Sequence, residues 1–200
     1  MRPYGIALLL CQLVLATPAS AHAPIMGIGG VFGGFLHALL IPEHGMSLLA
    51  LGLALGHQER TTRRVAVLIF GAVLVCGLIA TKYLVEAKIA ADILLAVTGI
   101  LGLLVAFAWV PPFVGWTLAA LTAAAFALDS SAEVPSAGEA ARMLFGAGLG
   151  AVMMLALVAE GAVALASQTQ RIAMRVVGSW ITAIAILDLA LRFATRSATG

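Results

Sequence analysis

Residues 27–56 read GIGGVFGGFLHALLIPEHGMSLLALGLALG, an apolar run interrupted once, by Pro42-Glu43-His44. A helix needs about 20 apolar residues to cross a hydrocarbon core roughly 30 Å thick. The run is therefore either one long broken span or two short ones, and loop charge separates the two. The segment 57–64 holds Arg60, Arg63 and Arg64, and Arg171 and Arg175 flank the loop before the last apolar stretch. With the mature N-terminus outside, a single broken span places both loops in the cytoplasm, where basic loops are favoured. Two spans would place the three arginines outside. Lys82, Lys88, Arg142, Arg192 and Arg196 lie on the other side, so the bias is modest. The expected fold is an all-α membrane protein of about six helices, the first broken at Pro42, or seven if that span is split.

Outward from this stretch, further apolar segments cover 65–81, 89–110, 113–128, 143–166 and 172–193. The whole chain is 62% hydrophobic and only 10% charged, with a mean hydropathy of +1.11. Soluble domains carry about 25% charged residues, and so small a chain cannot bury this much apolar surface within itself. Lipid is the expected solvent. The net charge of +2 gives no reason to expect nucleic acid. There is no Gly-rich phosphate loop after a strand and no nucleophile elbow. The longest polar loop, 129–142, leaves no room for a soluble domain.

The first residues, MRPYGIALLLCQLVLATPASA, have a basic start at Arg2, a short apolar core and Ala19-Ser20-Ala21 as a small-x-small cleavage site. This is the pattern of a secretory signal peptide. The expected division is a signal peptide over 1–21 and one transmembrane domain over 22–200, in a bacterial inner membrane with a periplasmic N-terminus. Cleavage would make His22 the first residue, with a free α-amine beside an imidazole, a pair able to chelate a divalent metal. Cys11 lies in the signal region and Cys76 stands alone, so the mature chain can form no internal disulfide.

The densest chemistry is His37, Glu43 and His44. Ionisable groups inside a span cost a few kcal/mol each on insertion scales and mark pathways or binding sites. On an unbroken helix His37 and His44 would share a face but lie about 10.5 Å apart along the axis. That is too far for one ion with bonds of about 2 Å. A break at Pro42 can close the gap, because proline removes a donor and Gly45 adds freedom. Imidazole with carboxylate suits nickel, cobalt, zinc or copper(II). Met46 could add a soft ligand, but a methionine on an apolar helix more often fills packing space. Spacing alone does not choose between a metal and a proton.

Glu160 and Asp188 are isolated carboxylates in apolar runs and are each expected to face the bundle interior, with a bracing ion pair as the plainer role. Glu86, Asp92, Asp129, Glu133 and Glu139 fall at or near the outer face under this topology, where a negative vestibule would concentrate cations. Gly146, Ala147 and Gly150 lie at helical spacing and permit close helix packing.

At these positions the chain resembles the HupE/UreJ family, bacterial membrane proteins associated with uptake of nickel, and in some members cobalt, for hydrogenase and urease. The family pattern runs G-F-x-H-P-x-x-G-x-D-H-x-x-A-M-x-A-x-G in the first span, after a histidine near the cleavage site. Here His22 is followed by Gly34-Phe35-Leu36-His37 and by Glu43-His44-Gly45-Met46, and Ala132-Glu133-Val134-Pro135 resembles a family A-E-L-P. The resemblance implies that His37, Glu43 and His44 bind the metal, with Asp129, Glu133, Glu160 or Asp188 passing it on. Departures are Glu43 for the family Asp, Ala38 for a Pro, and Leu128-Asp129-Ser130-Ser131 in place of a His-rich stretch. Glu160 falls where a family His is expected. Fewer imidazoles weaken selection for nickel and leave cobalt or another divalent ion open.

The expected function is a non-enzymatic permease for Ni2+ or Co2+, with the ion as transported cargo rather than a permanently bound cofactor. Its partners are the divalent metal ion and the lipid bilayer, with no nucleic acid. The alternative is a non-transporting accessory protein for maturation of a metalloenzyme such as hydrogenase or urease.

Overall fold

A computed structural model describes residues 29–80, 89–130, 136–165 and 167–199. These form seven helices and no strand: α1 Gly30–Leu40, α2 Pro42–Gly56, α3 Arg60–Ala80, α4 Ala90–Phe107, α5 Pro112–Asp129, α6 Ala137–Ala164 and α7 Gln168–Thr199. The expected signal peptide, its cleavage site and His22 lie outside the described residues.

Helices α3 to α7 are each long and apolar enough to cross a membrane, and α1 with α2 makes a pair bent by 71°. Counted as one broken span, that pair brings the total to six, the number that the loop charges favour. The break falls on Ile41, whose ψ of 118° is extended. A residue before proline is pushed out of the helical region by the pyrrolidine ring. Pro42 itself opens α2 as a residue with no amide to satisfy.

Helices α3, α6 and α7 start earlier than the apolar segments suggest, and the last two have cap chemistry at the start. Ser136 Oγ accepts from the Glu139 amide at 3.2 Å, so α6 begins within the segment read as a loop over 129–142. Ahead of α7, Gln170 N donates to Ser167 Oγ at 3.3 Å, and Ser167 N donates to Gln170 Oε1 at 3.0 Å. That reciprocal pair satisfies two amides which a helix start would leave open.

Helix α2 is the central element and touches all six others. Leu48, Leu51 and Leu55 on it are fully buried, as are His44 and Ser47. Around it α1 lies on α6, α3 on α5, and α4 on α7. Lipid tails are as apolar as leucine, so helices in a membrane gain cohesion from close packing instead. Glycines provide it here. A Cβ on Gly146 would meet the Val31 carbonyl oxygen at 1.9 Å, and one on Gly34 would meet that of Met143 at 1.8 Å. Gly146, Ala147 and Gly150 are all buried, in keeping with the packing role read from their spacing. The outer faces of α3 and α7 expose Leu68, Val75 and Ile79, and Trp180, Ile184, Leu187 and Leu191, a surface suited to lipid.

Candidate functional site

The break at Ile41 does what the sequence spacing demands of it. His37 in the last turn of α1 and His44 in the first turn of α2 come together with ring centroids 5.8 Å apart, edge to face. His44 is completely buried. Its ring lies on Phe126 at 4.2 Å, and its Nε2 meets Asp129 Oδ2 at 2.9 Å. Asp129 ends α5, which brings the carboxylate to the start of α2. An ionised carboxylate only accepts, so Nε2 carries a proton, and in the neutral imidazole Nδ1 then keeps its lone pair. That Nδ1 is buried and has no hydrogen-bond partner among the described residues. A carboxylate on one imidazole nitrogen with the other left as a base is the usual outer-shell arrangement of a metal-binding histidine.

Glu43, one residue away, goes elsewhere. Its carboxylate pairs with Arg192 of α7. The same guanidinium lies 3.5 Å from Asp188 and 3.8 Å from Asp92, and Arg196 holds Asp92 through contacts at 2.6 and 3.3 Å. The structure therefore brings His37 and His44 together but holds Glu43 apart from them. Among the described residues, no three His, Cys, Asp or Glu side chains converge as a metal site.

Asp188 lies in this network with its side chain 35% exposed. Glu160 does not face the bundle interior as its apolar flanks suggested. Its side chain is 63% exposed and pairs with Arg63 through two bonds, at 3.0 and 3.1 Å. It lies at the opposite end of the bundle, beside the turn between α2 and α3. Arg63 is the buried partner and also donates to the Gln58 carbonyl at 3.1 Å. Arg63→Ala is expected to lower stability in detergent by about 1–3 kcal/mol, because that carbonyl loses its donor. Glu160→Gln keeps one acceptor for Arg63 and is expected to lower the melting temperature less than Arg63→Ala does. Thermal unfolding of the two purified variants checks both. Glu133 lies outside the described residues.

The paired arginines were not singled out in the sequence, although a signal was there. Asp188, Arg192 and Arg196 recur at intervals of four along α7, which puts them on one face.

Fold and site together define a multi-pass helical membrane protein with a buried histidine–carboxylate pair at one end of the bundle. The chain belongs to the HupE/UreJ family: the family described as HupE / UreJ protein matches residues 8–187, nearly its whole length. No curated protein and no solved structure matches it.

Proposed function

We propose that this protein is an inner-membrane permease that takes up a divalent transition metal, nickel or cobalt, from the periplasmic side. The observation that carries this reading is the fully buried His44, with Nε2 held by Asp129 and Nδ1 without a partner beside the His37 ring. A buried nitrogen base with no partner costs free energy unless something occupies it, and two imidazoles favour a borderline transition ion. Electrostatics point the same way. Glu43, Asp92, Asp129 and Asp188 contribute −4, and Arg192 and Arg196 contribute +2, so with neutral imidazoles these groups sum to −2. One divalent cation balances them.

In this reading His22 and the acidic outer loops, Glu133 included, collect the ion. His37 and His44 bind it with Glu43, Asp129 orients His44, Asp188 stands beside Glu43 around Arg192, and Glu160 is a carboxylate further along the route. An inward membrane potential supplies about 2.3 kcal/mol per charge per 100 mV. The test is accumulation of nickel and cobalt in cells expressing the wild type or the His37→Ala, His44→Ala pair. The wild type is expected to show saturable uptake that the double variant lacks. Equal accumulation by both would overturn the proposal. Metal binding by the purified wild type without uptake would assign the protein to the accessory role in metalloenzyme maturation.

A further inference from the structure

The proposed ligand set lacks a third member in this structure, and the reason is a specific contact. Glu43 neighbours His44 in the chain, yet its carboxylate is held by the Arg192 guanidinium. That guanidinium sits among three carboxylates at once, those of Glu43, Asp188 and Asp92. Asp188 is one helical turn before Arg192 on α7 and Asp92 is opposite on α4, so both are within reach whatever happens at Glu43. The Arg192 side chain is 27% exposed, so it is not enclosed on every side. The next residue in the chain is His44, whose buried Nδ1 has no hydrogen-bond partner among the described residues.

We propose that Arg192 is a built-in competing cation: it occupies Glu43 at rest, and an incoming divalent metal takes Glu43 only by driving Arg192 onto Asp188 and Asp92. The inference rests on the metal-permease reading and adds to it a device for selectivity and release. A monovalent ion brings too little charge to replace a guanidinium on the same carboxylate, whereas a divalent ion that also gains two imidazoles can. On the far side of the cycle, Arg192 returning to Glu43 removes a ligand and loosens the ion. Conduction needs ligation that can be undone in this way.

The experiment is calorimetric titration of the purified full-length protein in detergent with Ni2+ and with Co2+, alongside size-exclusion chromatography to report folding. Arg192→Gln leaves Glu43 available and is expected to tighten metal binding roughly tenfold, within the range of coupling between contacting charges. Asp188→Asn removes a resting place for Arg192 and is expected to weaken binding several-fold, by about the same mechanism in reverse. The double variant is expected to match Arg192→Gln alone. Unchanged or weaker binding by a folded Arg192→Gln protein would make Arg192 a brace for Glu43 and overturn the inference. A loss from Asp188→Asn that persists in the double variant would overturn it as well, since that loss would be direct attraction of the carboxylate for the metal. If Arg192→Gln does not fold, Arg192→Met, which keeps the apolar stem, takes its place: tighter metal binding supports the inference, and unchanged or weaker binding overturns it. A wild type whose metal binding does not depend on His44 overturns the permease reading itself. Binding that depends on His44 but is untouched at Arg192 and Asp188 overturns only the competing-cation step.

Discussion

Replacing His44 by alanine is expected to abolish specific nickel and cobalt binding by the purified protein, and Asp129→Asn to weaken it about 10–100-fold. The second effect follows from the proton on the imidazole. Asp129 accepts from Nε2 at 2.9 Å and so keeps the lone pair on Nδ1. An asparagine offers both an amide donor and a carbonyl acceptor. It can donate to Nε2, and the ring then carries its proton on Nδ1, where a metal would have to bind. The ring stays packed on Phe126 in either case. Helical content should therefore be unchanged while affinity falls, which circular dichroism and titration calorimetry together would report. Asp129→Asn binding metal as the wild type does would mean that Nδ1 is not the ligand atom.

Alanine in place of Gly34 or Gly146 is expected to destabilise the protein by about 1–3 kcal/mol each, the usual cost of forcing atoms into a packed contact. A methyl at either position would fall under 2 Å from a backbone carbonyl of the neighbouring helix. Backbone cannot move aside as a flexible side chain can, so α1 and α6 must separate. Because α1 carries His37, metal affinity should fall together with stability. Gly138→Ala is the control, since nothing lies within 4 Å of a Cβ there. Thermal unfolding in detergent and metal titration of the three variants test the linkage. A Gly146→Ala protein as stable as the wild type would show that α1 does not dock on α6 as described.

The three arginines of 57–64 and the spacing of the apolar segments were enough to prefer one broken first span. That preference agrees with a 71° bend at Ile41. Such features are legible because they are local. Proline restricts the residue before it wherever it occurs, and an apolar segment of spanning length needs lipid whatever its neighbours are. The approach of His37 to His44 was legible to the same extent, as a consequence of the break. Cap residues Ser136, Ser167 and Gln170 were equally local, and they move the starts of α6 and α7 beyond the apolar segments.

By itself, then, the sequence determined the helical membrane fold, the break before Pro42 and the residues from which a site could be built. Only the tertiary structure decided how those residues are shared out. Successive residues of a helix point about 100° apart, so Glu43 and His44 must face different neighbours. Nothing in the local sequence says which helix stands on each side. Packing places α5 on one, where Asp129 takes His44, and α7 on the other, where Arg192 takes Glu43. Glu160 was misread for a related reason. Its flanks are apolar, but it lies in the last turns of α6, where the side chain is exposed and meets Arg63 at the end of the bundle. Burial of a charged group depends on which helices surround it, and that is settled only when the bundle closes.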